Sequence, residues 1–389
     1  MEQTSRYIDH TESLEKTIEF LNRCDAIAID LEFDKNYYHY GFNLCLVQIY
    51  SDDQCFLIDP LSDQLEIESL FPILEDKNVQ KICFSFDEDL RLLHSLGCFP
   101  KNLYDLSIAS RLLNDPPASL TNLLQEHLNI DTGSSSQQSN WFKRPLTKKQ
   151  LHYAANDVYH LFKLKDFMEA KASENGVIDW IRQENECLDQ LDYSDVDHNG
   201  FIKEKDMSGF SEFEWHIFKE LLRWQDEMGE MYNRPAYQIA PKRYLIEIAK
   251  DSRKLMQWNR TDGIFKKLKS DDVKSDLIAL IKSASKEAEE QNYSQTQPAR
   301  NDLSREEYKL MMKQKSEINR AKNEIFKPIK TKIEECYGSD LANFLLSNRL
   351  ISDMVTGNNG SLPDYRKELF LKYAKELSLN MDAVQKYVG

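Results

Sequence analysis

The chain reads as an α/β domain with a mixed sheet, followed by small all-helical units. Three observations predict this. Short apolar strands and helices alternate over roughly the first 170 residues, strands come first as a meander with helices closing behind them, and no strand pattern appears after residue 180. Strand candidates are 26–32, 43–50, 55–59 and 79–84. Helices are predicted near 12–23, 66–75, 87–96, 104–114, 119–128 and 147–170. Thr147-Lys148-Lys149-Gln150 is a capping box and starts the last of these, after a polar loop at 131–140.

The boundaries follow from punctuation and charge. We assign residues 1–182 to the α/β domain and 183–208, which is acidic and broken by Gly200 and Gly209, to a linker. A second capping box, Ser211 to Glu214, opens a helical unit over 209–287. A polar segment at 288–303 leads to a second helical unit at 304–389, which begins on a third capping box, Ser304 to Glu307.

At 389 residues, two or three domains are expected. The 41% hydrophobic and 30% charged composition is that of a soluble globular protein. No apolar run is long enough to span a membrane, and the N-terminus lacks a signal-peptide pattern. Seven scattered cysteines with no C-x-x-C pair read as reduced thiols, so a cytoplasmic location is expected. A net charge of −15 argues mildly against a protein that coats nucleic acid, although not against an enzyme holding a short strand through metals and a local basic patch.

The chemistry-bearing pattern begins at Asp30-Leu31-Glu32, at the end of the apolar strand 26–32. Residues two apart on a strand share a face, so two carboxylates stand side by side and raise each other's pKa. A divalent cation removes that repulsion, and paired Asp and Glu are the oxygen ligands Mg²⁺ accepts. Alone, a D-x-E is common in acidic proteins. Further acids follow at Asp89, just after the strand 79–84, at Asp105, and at Asp157. Tyr153 and Asp157 are four residues apart and share a helical face, and Ala154 and Ala155 let that helix approach the sheet closely. Asp105 reads as a helix N-cap, and Asp87 as the cap of the helix carrying Asp89.

The ordered motifs Asp30-Leu31-Glu32-Phe33, Leu46-Val47-Gln48-Ile49, Leu57-Ile58-Asp59-Pro60, Phe86-Asp87-Glu88-Asp89-Leu90, Trp141 to Leu146 and Gln150 to Val158 resemble the DEDD 3′–5′ exonuclease family, in its ribonuclease D branch. The resemblance implies a ribonuclease H-like (DnaQ-like) fold with a mixed sheet. It also implies two divalent metal ions, Mg²⁺ or Mn²⁺, held by Asp30, Glu32, Asp89 and Asp157, with Tyr153 orienting the attacking water. Tyr153 has the spacing of the tyrosine branch, and the neighbouring His152 that of the histidine branch. The flanking Arg144-Pro145-Leu146 and the Tyr-Ala-Ala sequence favour tyrosine, leaving His152 as a solvated helix residue. Gln48, Trp141, Lys143 and Arg144 are candidates for nucleic-acid contact, each with a scaffold or solvated-loop alternative. Phe84, Asn140 and Leu31 depart from the family pattern without removing a proposed ligand.

Residues 209–287 resemble the HRDC helical module through Leu221-Leu222-Arg223-Trp224, Asn233-Arg234-Pro235 and Leu245 to Ala249; residues 304–389 resemble a second such unit more weakly. Basic residues in these blocks, such as Lys242, Arg243, Lys250, Arg253 and Lys254, then Lys309, Lys313 and Arg320, would steer RNA or simply solvate helix faces. Asp195 to Asp206 copies the first half of an EF-hand loop but ends on Asp with lysines intruding, and reads as a linker turn. The sequence therefore predicts a monomeric, metal-dependent 3′–5′ exoribonuclease releasing nucleoside 5′-monophosphates. The family-implied substrate is the 3′ end of tRNA precursors or other structured RNA. A DNA exonuclease of the same fold and a non-catalytic RNA-binding scaffold are the alternatives. The metal-free protein is expected to be less stable than the loaded one.

Overall fold

The computed structural model describes residues 5–133, 136–194, 202, 207–296, 305–358, 360 and 362–389. It divides into two compact units: residues 1–32, 44–195 and 305–389 form one, and 33–43 with 196–304 the other.

The first unit is built on a six-stranded sheet. In chain order the strands are β1 (Ser5–Ile8), β2 (Ala26–Lys35), β3 (Phe42–Ser51), β4 (Gln54–Ile58), β5 (Gln80–Cys83) and β6 (Leu103–Asp105), and their order across the sheet is β1-β4-β3-β2-β5-β6. β3 and β4 pair antiparallel, whereas β1–β4, β2–β5 and β5–β6 are parallel, so the sheet is mixed as predicted. Ile27 to Ile29 and Leu44 to Ser51 are buried without alternation, the pattern of central strands covered on both faces. The sequence reading missed β1, whose Arg6 and Tyr7 are exposed, and β6, too short for a period-2 signal and placed inside a helix.

The helices of this part are α1 (Thr11–Leu21), α2 (Phe71–Glu75), α3 (Asp87–Ser95), α4 (Leu106–Leu112), α5 (Leu120–Leu128), α6 (Lys148–Tyr159), α7 (Leu161–Glu174) and α8 (Ile178–Leu188). The Thr147 box is formed: Gln150 N–H donates to Thr147 Oγ1 and Thr147 N–H to Gln150 Oε1. The predicted single helix 147–170 is two, dividing at His160. The acidic segment placed in a linker from residue 183 is still helical to Leu188.

Residues 305–389, read from sequence as a unit of their own, cluster with the α/β part. Their helices are α13 (Arg305–Ala321), α14 (Lys327–Tyr337), α15 (Ser339–Leu345), α16 (Asn348–Thr356), α17 (Asp364–Glu376) and α18 (Met381–Val388), taking these numbers after α9 to α12 of the other unit. The reason lies in the interface. Ile325, Phe326, Ile329, Leu341, Leu345 and Phe370 join one apolar core with Leu112, Leu164, Met168 and Ile181. Arg366 on α17 pairs with Glu184 on α8 at 2.5 Å, both nearly buried, and Trp180 stacks on Tyr365 with ring centres 5.0 Å apart. The Asn114 carboxamide accepts from the Asp340 and Leu341 amides and caps the start of α15. Gly338 there has φ +96° and ψ 165°, and a Cβ would fall 2.2 Å from Asn114. Gly338→Ala is therefore expected to cost at least ~1–3 kcal/mol, read as a lowered melting temperature.

The second unit contains α9 (Glu212–Met231), α10 (Ala236–Ile239), α11 (Lys242–Lys250) and α12 (Asp271–Glu290) around Phe218, Leu221, Leu222, Ile248 and Trp258. The Ser211 capping box is formed. The connection between β2 and β3, placed by the sequence reading inside 1–182, belongs to this unit. The Asp34 carboxylate organises it by accepting from the Tyr37, Tyr38 and His39 amides. Tyr40 donates to Asp226, Tyr237 donates to the Tyr37 carbonyl, and the Tyr40 ring lies so close to Gly229 that a Cβ would sit 3.0 Å from it. In the basic cluster, Arg253 pairs with Asp251 and Lys250 donates to the Gly209 carbonyl. The EF-hand-like loop, apart from Ile202, and Ser304 of the third capping box lie outside the described residues. Among the described residues no helix is long and apolar enough to cross a membrane, and none of the seven cysteines forms a disulfide.

Candidate active site

Asp30 and Glu32 leave the same face of β2, with Ile29 and Leu31 buried on the other. Asp157 comes from α6. One carboxylate oxygen from each of Asp30, Glu32 and Asp157 lies within 4.8 Å of the other two, although the residues are far apart in sequence. Asp157 also accepts a hydrogen bond from Tyr153 one turn earlier, as the i, i+4 spacing predicted. Ala154 and Ala155 are buried, so this helix can lie close against the sheet.

Asp89, on the first turn of α3, is 6% exposed and acts on Asp30 and Glu32 as a further like charge. Its Oδ1 is buried with no hydrogen-bond partner among the described residues. Gln48, fully buried on β3, donates to Glu32 Oε1 at 3.4 Å, while its own Oε1 is likewise unpartnered. Burial, then the charges of Asp157 and Asp89, pushes Asp30 well above the usual carboxylate range. Glu32 is raised by burial and then by Asp30, Asp157 and Asp89. Burial pushes Asp89 up to about 8 and Asp157 up to about 7, the latter held back by the Tyr153 hydrogen bond. No cation is among the main influences on any of the four. An all-oxygen, uncompensated, partly orphaned donor set of this kind fits a hard divalent cation.

The neighbouring candidates resolve as follows. Asp105 caps α4, accepting from Ser107 N–H, and also takes the Ser85 and Phe86 amides, which fixes the turn ahead of α3. Asp87, expected to cap α3, does not. The cap residue is Phe86, whose amide Asp105 already takes, and Asp87 is the first residue of the helix itself. His152 is exposed and hydrogen-bonded to Asn156. Trp141, a candidate nucleic-acid contact, is 2% exposed and packs near Tyr153, so it serves the core. Arg144, another candidate, is instead bound to Asp59 through two 2.6 Å hydrogen bonds. Lys143 alone of these stands exposed beside the site motif. Sequence reasoning missed the roles of Asp59 and Tyr7; the only signal was an acid at the end of a strand pattern, in Leu57-Ile58-Asp59-Pro60.

A family model described as a 3′–5′ exonuclease matches residues 5–172. These residues belong to the 3′–5′ exonuclease family. The exonuclease domain thus carries all four carboxylates, and the fit of its acidic cluster to a divalent ion accords with the metal dependence of that family. The chain is similar to ribonuclease D of Desulfotalea psychrophila, 30% identical over 249 residues, covering 62% of this chain and 66% of that protein. Ribonuclease D of Bartonella henselae is 27% identical over 246 residues, covering 63% of this chain and 60% of that protein. The chain therefore spans somewhat under two thirds of these relatives. In fold it matches the crystal structure of Escherichia coli RNase D, described as an exoribonuclease involved in structured RNA processing. That match has a TM-score of 0.66 and 20% identity, and covers 96% of this chain and 99% of the other.

Proposed function

We propose that the protein is a metal-dependent 3′–5′ exoribonuclease that hydrolyses RNA to nucleoside 5′-monophosphates, with the 3′ ends of tRNA precursors or other structured RNA as its substrates. The observation that carries this is the convergence of Asp30, Glu32 and Asp157 on one point, with Asp89 buried against the same charge and Tyr153 bonded to Asp157. Two divalent ions, Mg²⁺ or Mn²⁺, are held by these four carboxylates. When bound they supply a nucleophilic water and neutralise charge on the attacking and leaving oxygens. Asp30 and Glu32 are held in place by the strand and accept the shared positive charge. Gln48 keeps one Glu32 oxygen oriented. The Tyr153 hydroxyl donates to Asp157, a position from which it would orient the attacking water. Lys143 is the remaining candidate for a phosphate contact in this domain. The helical segment 209–287 acts as an HRDC-like RNA-binding module and 304–389 as a second HRDC-like block. The enzyme works as a cytoplasmic monomer.

The test uses 5′-end- and 3′-end-labelled single-stranded RNA and DNA of matched sequence, with Mg²⁺ or Mn²⁺, beside an Asp157→Asn variant. Stepwise shortening of 5′-labelled RNA, with release of labelled mononucleotide from the 3′-labelled strand, is expected, and both vanish in the variant and in EDTA. Faster shortening of DNA than of RNA would make the protein a DNA exonuclease. RNA binding without cleavage in either metal would make it a scaffold.

A further inference from the structure

Arg144 and Asp59 form an ion pair whose remaining bonds join three separate pieces of the exonuclease domain. Arg144 Nε donates to Asp59 Oδ2 and Nη2 to Asp59 Oδ1, the two-pronged geometry in which guanidinium and carboxylate match. Asp59 follows β4 directly, and its side chain is 6% exposed. It also accepts from Tyr7 of β1 and from the Leu61 amide. Arg144 spends its other donors on backbone carbonyls: Nη2 on Cys45 of β3 at 2.7 Å, and Nη1 on Trp141 at 2.6 Å and Lys143 at 3.1 Å. The guanidinium therefore ties β3 and the end of β4 to the segment that enters α6.

That segment has little freedom left before the helix begins. Thr147, three residues on, is the first half of the capping box, and Gln150 donates back to the Asn140 carbonyl. α6 is a stiff rod that packs on β4, so the position of its entry sets where Tyr153 and Asp157 stand ten to fifteen ångströms along (about 1.5 Å per residue). Asp30 and Glu32 come from the sheet, on the other side of the joint. We infer that the Arg144–Asp59 pair, completed by Tyr7, is a positioning clamp that registers α6 against the sheet and so brings Asp157 to Asp30 and Glu32. Arg144 acts through α6 and touches no substrate. The inference rests on the exonuclease reading for its catalytic consequence.

The experiment compares Arg144→Lys, Asp59→Asn and the double variant with the wild type. Lysine keeps the charge but loses the fork. Three quantities are measured: kcat and KM on 5′-labelled RNA, the dissociation constant for the same RNA in EDTA, and the Mn²⁺ concentration that half-completes the rise in melting temperature without RNA. A clamp predicts that each single variant loses ~10–100-fold in kcat and that its Mn²⁺ midpoint rises by a similar factor. KM and RNA affinity stay within about twofold, and the double variant is no slower than the slower single, because both remove one joint. If Asp59→Asn does not fold, Tyr7→Phe removes a single bond of the same joint, and a smaller change in the same direction is expected.

Arg144→Lys weakening RNA binding and raising KM, with Asp59→Asn normal, would make Arg144 a phosphate contact and overturn the clamp. Lower melting temperatures with unchanged kcat and Mn²⁺ midpoint would reduce the pair to a structural brace, which also overturns it. If the wild type cleaves no RNA, the functional reading fails on its own, and the Mn²⁺ melting titration still decides the clamp.

Discussion

Asp30→Asn is expected to abolish cleavage and, in the same protein, to raise the melting temperature of the metal-free form. The two effects have one cause. Asp30 is a half-buried carboxylate whose charged form is opposed by desolvation and by Asp157 and Asp89. An amide of the same shape removes that opposition and with it the metal. The sign of the pH dependence follows. Asp89 and Asp157 are raised in the fold, to about 8 and about 7, above the ordinary 3.8. Their contribution to stability is complete below about pH 4, where folded and unfolded chains are both protonated, and is lost as pH rises through 7 and 8. The metal-free wild type should therefore melt at progressively lower temperature from pH 5 to pH 8.5.

Mn²⁺ should reverse the loss, most strongly at the alkaline end, since the ligands must be deprotonated to bind it. At a hundredfold excess over its dissociation constant it would return about 2.7 kcal/mol. Calorimetry of both proteins over that pH range, in EDTA and in Mn²⁺, measures this. A wild-type melting temperature indifferent to pH and to Mn²⁺, or an Asp30→Asn protein less stable than the wild type in EDTA, would remove the shared metal site.

Glu184→Ala is expected to be the most damaging single change outside the active site. Glu184 and Arg366 are 11% and 9% exposed, and the pair joins α8 to α17. Tyr365 donates to the same Glu184 oxygen, and the Arg366 guanidinium also reaches the Leu345 carbonyl. Removing Glu184 leaves a buried cation without its carboxylate, with the Leu345 carbonyl, the Tyr365 hydroxyl and the Phe344 ring as its remaining neighbours, which costs ~3–5 kcal/mol. At about 2–4 °C per kcal/mol for a domain of 150–250 residues, the melting temperature should fall by about 10 °C. Replacing both partners, as Glu184→Leu with Arg366→Met, should recover much of the loss, since no charge is then stranded. A loss for Glu184→Ala below about 1 kcal/mol would mean that the pair behaves as a solvated surface bridge, and that residues 305–389 are held to the α/β part of their unit more loosely than the shared core implies.

Much of the site was legible because its acidic residues sit on elements with strong periodic signals. Asp30 and Glu32 are fixed to one face by the strand period, and Tyr153 and Asp157 by the helical one. Asp105 was legible as a cap for the same local reason, and the Thr147 and Ser211 boxes formed as read. What failed depended on burial or on distant partners. Arg144 looks like a free cation beside a motif until Asp59, just past the end of β4, takes its fork. Trp141 reads as either a nucleic-acid contact or a scaffold residue until it is found buried beside Tyr153. Asp87 is not the cap because the helix begins one residue earlier than read, so that the cap position falls on Phe86. β1 and β6, four and three residues long, are strands because they complete the sheet beside β4 and β5 rather than by their own pattern.

By itself the sequence determined the mixed α/β domain, the helical remainder and the identities of the acids, since alternation, capping and residue chemistry are local properties. Tertiary structure alone decided that three of those acids meet within 4.8 Å and that residues 305–389 share one core with the exonuclease domain rather than standing apart. Contacts between residues a hundred or more positions apart depend on which apolar faces bury each other, and no local pattern records that choice.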